Sequence, residues 1–237
     1  MKRWSAPSSL LVFLLAAPAA QAAHPLITED TGTLGTGGWQ LEVNAERAQS
    51  PGVGATIWGT TISYGFAETA DVLISPSYIS GEGKTDTLLG VKWRFYEQDL
   101  LSFGVRPGLL LPTGNEDRGL GSGHLGWNVP LFLSYQPERW AFHAQVAYLH
   151  ESKATFRRET VWQGSASLWL KPTPELKLVS DLSYATHPDP SVHHTIRHTI
   201  LGAIYSVTKS FDVDAGYRKG NGFVFDHAWM AGITVRW

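Results

Sequence analysis

Trp229-Met230-Ala231-Gly232-Ile233-Thr234-Val235-Arg236-Trp237 closes the chain. Every second residue of this stretch is large or apolar (Trp229, Ala231, Ile233, Val235, Trp237), which is the period of a strand with one apolar face. A final strand ending on an aromatic residue, an export signal at the other end and similar period-two segments between them predict a transmembrane β-barrel of the bacterial outer membrane.

The export signal is read from the amino terminus. Lys2 and Arg3 precede an apolar run from Leu10 to Ala17, and Ala20-Gln21-Ala22 is a small-x-small cleavage site, so residues 1–22 read as a signal peptide cut after Ala22. No later stretch approaches the ~18 consecutive apolar residues of a helical span. Removing the signal takes Lys2 and Arg3 from 19 basic residues, leaving 17 against 21 acidic ones and a formal charge of −4. A basic nucleic-acid-binding surface is therefore not supported. The absence of cysteine excludes a lipid-anchored amino terminus, disulfides, thiolate metal sites and cysteine catalysis. The mean hydropathy near zero is what a barrel with a polar lumen and an apolar exterior averages to, so alternation decides the class.

Segments of the length a tilted membrane strand needs fit the sequence twelve times, over 39–47, 54–65, 71–80, 86–96, 101–111, 125–135, 140–150, 160–170, 176–186, 197–206, 211–219 and 227–237. The count is even, as a closed single-chain barrel requires. Short turns such as Ala67-Glu68-Thr69-Ala70 and Gln136-Pro137-Glu138-Arg139 follow the even strands. Longer Gly-, Pro- or charge-rich loops follow the odd ones, around 48–53, 81–85, 112–124, 151–159, 187–196 and 220–226. Short turns face the periplasm and long loops the exterior.

Aromatic residues are then expected in two belts at the membrane interfaces. Trp39, Tyr64, Phe95, Tyr135, Trp140, Trp169, Tyr205, Phe211 and Trp237 lie near the periplasmic ends; Trp127, Tyr148, Trp162, Tyr184, Tyr217 and Trp229 lie near the outer ends. In the fourth strand Leu89, Val91, Trp93 and Phe95 form one face and Gly90, Lys92 and Arg94 the other. A slip by one residue would push Lys92 and Arg94 into lipid at ~2–4 kcal/mol each, so the polar set faces inward.

The inward charges are the candidate pore-lining residues. Lys92, Arg94 and Arg106 fall on strands 4 and 5, whereas Asp212 and Asp214 fall on strand 11, Glu42 and Glu46 on strand 1 and Arg236 on strand 12. Two arrangements satisfy this pattern: a basic wall facing an acidic wall across a water-filled lumen, or pairing such as Glu42 with Arg236 and Asp214 with Arg218 that holds the lumen shut. Phe132, Leu110, Leu149 and Trp169 are the inward apolar candidates that an aromatic solute would meet. The longest loop, Pro112 to Gly123, lacks the ending of a phosphate loop and reads as a constriction, with Asn115, Glu116, Asp117 and Arg118 as a possible gating tip. Residues 23–38, containing His24-Pro25-Leu26-Ile27-Thr28-Glu29-Asp30, are too polar and Gly-broken for a wall strand. This segment either hangs in the periplasm or enters the lumen as a plug anchored by Leu26 and Ile27.

Seven histidines fall in or beside outer loops, but none has a spacing diagnostic of a metal site, and no metal or cofactor is expected. His150 with Ser152 and His143 with Gln145 are the nearby pairs that an enzymatic barrel could use, and neither sits in a recognisable motif; no catalytic residue is assigned.

Two stretches carry a family likeness: His24-Pro25-Leu26-Ile27-Thr28-Glu29-Asp30-Thr31-Gly32 through Gly38-Trp39-Gln40-Leu41-Glu42, and Pro107-Gly108-Leu109 through Leu111-Pro112-Thr113-Gly114-Asn115-Glu116 with Gly119-Leu120-Gly121-Ser122-Gly123. They resemble the outer-membrane family described as meta-pathway phenol-degradation proteins or simply "transporter". The resemblance implies an outer-membrane barrel that takes up small aromatic or hydrophobic molecules passively, without catalytic residues. Trp237 stands where such barrels usually end in Phe, and another aromatic serves recognition by the assembly machinery. The expectation is a barrel over 39–237 that conducts small solutes by diffusion, in contact with outer-membrane lipid and lipopolysaccharide. The alternatives are a closed barrel with partner- or metal-binding outer loops and, behind it, a lipid-modifying enzyme.

Overall fold

The computed structural model describes residues 24–151, 158–221 and 225–237. The expected signal peptide, the Ser152 partner of His150 and parts of two outer loops lie outside the described residues. Twelve antiparallel strands close into a barrel. They are β1 (Trp39–Ser50), β2 (Val53–Ala67), β3 (Ala70–Ser75, resumed over Ser77–Ile79), β4 (Thr87–Gln98, with Gly83–Lys84 before it), β5 (Leu101–Val105, resumed over Gly108–Leu111) and β6 (Gly126–Tyr135). They continue with β7 (Trp140–Glu151), β8 (Thr160–Leu170), β9 (Leu176–Ala185), β10 (Ile196–Thr208), β11 (Phe211–Gly220) and β12 (His227–Arg236). Each strand pairs with its sequence neighbours, and β1 pairs with β12 from Gln40↔Arg236 to Gln49↔His227, so no edge is left. Beyond β12, Trp39 N donates to Trp237 O at 2.9 Å and Trp237 N to Trp39 O at 3.2 Å, which seals the seam at its periplasmic end.

The expected strands are present, and two of them break where proline removes a donor. β3 is interrupted at Pro76 and β5 at Arg106-Pro107, yet the carbonyls still bridge the gaps: Thr60 N donates to Pro76 O at 3.1 Å and Val91 N to Pro107 O at 3.0 Å. Bulges at Gly65/Ala67, Arg94/Tyr96 and Ser206/Thr208 shift the register near the periplasmic ends.

Burial alternates along the strands with the expected phase. On β4, Leu88 and Lys92 are buried while Leu89, Val91 and Trp93 are exposed; on β7, His143, Gln145 and Leu149 are buried while Phe142 and Val146 are exposed. The exposed large side chains are those an apolar solvent covers, since in water so many exposed Trp, Leu and Ile side chains would drive association. Both aromatic belts form, with Trp39 beside Tyr64 at 4.7 Å and Tyr135 beside Trp140 at 5.5 Å at one end. At the other end Trp127 and Tyr148 lie 5.1 Å apart, Tyr148 and Trp162 4.8 Å, and Tyr217 and Trp229 4.8 Å. Trp169 corrects the belt assignment: it is buried inside the barrel, its ring 4.6 Å from His143. Its partner in register is Val179, another inward residue, because the phase of β8 leaves Leu168 and Leu170 to face lipid.

Candidate functional site: the lumen and the segment inside it

Residues 24–36 lie inside the barrel, along the inner wall near its periplasmic end. The segment starts beside β11 and β12, where His24 Nδ1 meets Asp214 Oδ1. Asp181 on β9 accepts from Thr28 N at 2.7 Å and from Ile27 N at 3.2 Å. Gln145 on β7 accepts from Glu29 N at 3.1 Å, and Ser134 on β6 accepts from Thr31 N at 3.0 Å. The Thr31 hydroxyl shares a hydrogen bond with Ser102 on β5, and Asp71 on β3 accepts from Leu34 N at 3.0 Å. Gly37 N then donates to Gly65 O at 2.7 Å as the chain turns into β1. The segment is thus a hoop held to the wall through side chains, because its Pro, Thr and Gly residues form no strand ladder.

Glycines make room for it. A Cβ at Gly65 would come within 1.9 Å of Gly35 O, one at Gly202 or Gly216 within 2.7 Å of Pro25 Cγ, and one at Gly232 within 2.8 Å of His24 Nδ1. Leu26 completes the anchorage in a buried apolar cluster with Val179, Ile200, Ile204 and Met230, against which Ile27 packs.

The hoop changes the electrostatics expected of the lumen. Arg106 is 0% exposed and does not face open water: its Nε donates to Glu29 Oε1 at 2.8 Å, Nη2 lies 2.8 Å from the same oxygen, and Glu29 is also 0% exposed. Lys92 Nζ lies 3.3 Å from Asp30 Oδ1. Arg94 pairs instead with Glu97 on its own strand, at 3.1 Å. On the acidic side Asp214 meets His24, Arg236 Nη1 lies 2.8 Å from Asp212 Oδ2, and Arg218 pairs with Glu46. These are not the pairs of Glu42 with Arg236 and Asp214 with Arg218 that strand order suggested. Arg236 also donates to Gln40 at 2.8 Å, and Glu42 is buried on β1 among the same inward charges. Glu29, Asp30 and His24 were missed as partners because nothing in the sequence places a tail residue against a wall residue. The legible signal was the set of glycines at inward positions, since a wall without side chains must face something else.

Two tiers of wall stand beside the hoop. On β6 to β8, Asn128, Gln145 Nε2, His143 Nε2, Ser165, Ser167 and Trp169 Nε1 are buried without a hydrogen-bond partner. Toward the outer ends, Leu88, Leu110 and Leu149 cluster with Leu73, and Val161 packs against them. Phe132 lies under Lys92, whose Nζ is 5.5 Å from the ring centroid. The four inward apolar candidates, Phe132, Leu110, Leu149 and Trp169, are all buried.

The long loop folds against β3 and β4. Asp86 accepts from Gly114 N and Ser122 N, both at 2.9 Å, and Arg118 Nη2 donates to Glu82 Oε2 at 2.7 Å. Asn115 caps the turn, its Oδ1 accepting from Arg118 N at 3.0 Å, while Glu116 and Asp117 stay exposed. The residue turned inward is Leu120, buried in the cluster that includes Ile79 and Phe225, and not the charged tip. In the loop after β9, Asp189 accepts from Ser191, which holds its carboxyl below the usual range, and burial lowers the His187 imidazole. The rings of His187 and His194 approach to 5.2 Å, but among the described residues no group of three or more His, Cys, Asp or Glu converges as a metal site.

The barrel resembles solved outer-membrane structures. The COG4313 outer membrane channel from Pseudomonas putida F1 shares 14% identity with a TM-score of 0.67, covering 88% of this chain and 98% of that one. The KdgM porin shares 9% identity with a TM-score of 0.64 (83% and 98% covered), and the NanC porin 10% with 0.63 (82% and 98%). At these identities the likeness establishes the fold. No curated protein sequence matches. The model of one family matches residues 23–225, spanning both the hoop and the barrel through β11: this chain belongs to the family described as "Putative MetA-pathway of phenol degradation".

Proposed function

We propose that this protein is a passive outer-membrane channel for small solutes, aromatic or apolar compounds among them, and that residues 24–36 narrow its periplasmic half. The observation that carries the reading is how the segment is attached. Its polar contacts with the wall run through side chains and its remaining anchor is the apolar packing of Leu26 and Ile27, so it can leave the lumen without breaking a strand ladder. The polar atoms of β6 to β8 that lack partners support the same view. A dry, permanent core would bear roughly 1–3 kcal/mol for each such atom, whereas a wall that meets water or solute does not. The family and the apolar tier of Leu88, Leu110, Leu149 and Val161 support an aromatic or apolar cargo.

The reading is of a conduit without a chemical step. Ser134 Oγ and His143 Nδ1 are 2.7 Å apart, but the hydroxyl also accepts from Thr31 N and the imidazole packs on Trp169, so the pair holds the hoop. With the hoop withdrawn, Lys92, Arg94 and Arg106 line one side of the lumen and Asp212, Asp214, Glu42 and Arg236 the other.

Single-channel conductance of the refolded protein in planar bilayers, with and without residues 24–36, tests this. Small or rare steps in the full chain and larger, stable steps after deletion are expected, with block by small aromatic compounds. Reversing Lys92 and Arg94 to Glu should then shift selectivity toward cations. Silence in both forms would sink the channel and favour a closed, partner-binding barrel.

A further inference from the structure

The outward face of the barrel is largely apolar, and exposed cations appear on it at the outer rim: a single Lys84 in register with Tyr78 beside β3, and a group in one sector. There, four adjacent strands, β10, β11, β12 and β1, place basic side chains at or just above the outer aromatic belt. The register aligns Gln49 with His227, His227 with Lys219 and Lys219 with Thr199 in one row, and Arg197 lies one step further out on β10. Arg47 is paired in register with Trp229 and so stands at belt level. Arg47, Arg197 and Lys219 are exposed, and none of the three forms an ion pair among the described residues. Their contacts are neutral: Arg47 Nη1 donates to Thr56 Oγ1 at 3.1 Å, and the Arg197 guanidinium lies 5.6 Å from the centroid of the Tyr184 ring. Asp226 borders the row on its loop side.

Depth and shape agree with charge. Trp229, 63% exposed, and Tyr217 mark the interface beneath the row, so the cations sit where lipid headgroups begin. An open cleft of about 530 Å³ lies between the β1–β2 hairpin and β12, with Arg47, Gln49, Ser50, Gly54 and His227 among its walls. The outer ends of β5 to β9 present Leu109, Trp127, Tyr148, Trp162 and Tyr184 to lipid, and among the described residues of these strands no Lys or Arg faces outward there. What sets the sector apart among the described residues is that its cations stand together on adjacent strands, whereas Lys84 stands singly.

From this we infer that β10, β11, β12 and β1 form a docking site for the phosphorylated saccharide headgroup of an outer-leaflet lipid. Arg47, Arg197 and Lys219 pair with its phosphate groups, Gln49 and His227 meet the sugar, and Trp229, Tyr217 and Leu201 pack on its acyl chains. Fixed guanidinium and ammonium groups at headgroup depth recognise phosphate by charge-assisted hydrogen bonds. The occupant is a lipid and not a free anion, because the cations stand directly over an exposed apolar and aromatic wall that only an amphiphile covers. The site is on the outside of the barrel and does not depend on the channel reading.

The test is native mass spectrometry of the refolded full barrel in zwitterionic detergent, titrated with bis-phosphorylated lipid A. The parent protein should retain one lipid A molecule, and Arg47→Gln/Arg197→Gln/Lys219→Gln should weaken retention by roughly 100-fold, at about 1 kcal/mol for each cation. Heat-modifiable migration in gels confirms that the variant is folded, and Lys219→Gln alone, expected to weaken retention about fivefold, serves if the triple variant is not. Equal retention of dephosphorylated lipid A, or unchanged retention by the variants, would overturn the site. Displacement of the lipid by micromolar inorganic phosphate would assign the cations to a free anion and overturn the lipid as occupant.

Discussion

The periplasmic part of the lumen and the apolar tier toward its outer end solve the same problem in opposite ways. The periplasmic part is ringed by Asp71, Lys92, Arg106, Ser134, Gln145 and Asp181, whose polar groups need partners, and residues 27–34 supply many of them. The outer tier of Leu73, Leu88, Leu110, Leu149 and Val161 packs on itself and needs none. A charged wall in a narrow bore must be matched by a counter-surface, whereas an apolar wall stays unfilled at no electrostatic cost. The barrel therefore carries a segment held by polar contacts toward one end of its lumen and an apolar lining toward the other.

The contrast breaks most decisively at Arg106. Glu29→Gln leaves a fully buried guanidinium without its counter-charge, a loss of about 3–5 kcal/mol. The segment should become sensitive to protease while the barrel stays folded, and single-channel conductance should rise toward that of the deletion. An unchanged conductance would show that the hoop does not restrict the bore. Gly216→Val drives a side chain into Pro25, where even a Cβ would approach to 2.7 Å. Overpacking of ~1–3 kcal/mol should loosen the hoop's tip and give flickering between two conductance levels. If the levels do not separate, the tip is not part of the restriction.

The outer tier responds differently. Leu110→Asn with Leu149→Asn should leave ionic conductance nearly intact but weaken block by an aromatic solute roughly tenfold, as expected for losing apolar contact surface. An equal loss of both would merge the two regions into one filter. The smallest effect is expected at the loop tip. Arg118→Ala removes an exposed pair with Glu82, worth no more than ~1 kcal/mol, and should alter the frequency of brief closures without altering conductance. Loss of conductance would make that tip, and not Leu120, the gate.

Strand order and phase were legible because each rests on a local signal. Period-two alternation puts Lys92 and Arg106 inside and Trp93 and Leu109 outside, whatever the rest of the chain does. Trp169 was read both as a belt residue, from its place near a strand end, and as an inward one, from its phase, and the phase decides. The breaks in β3 and β5 were foreshadowed by Pro76 and Pro107, but whether the wall bridges them is a matter of backbone N–H donors on β2 and β4 that reach the proline carbonyls.

What the sequence by itself determined was the barrel: its twelve strands and the sides they show to lipid and lumen. What only the tertiary structure decided was which charges meet. The partners of the hoop lie far along the chain, Asp71 being 37 residues from Leu34 and Asp214 190 residues from His24. A polar, glycine-broken segment has no period of its own, so its path follows the pocket of glycines, carboxylates and cations that exists only once the barrel has closed.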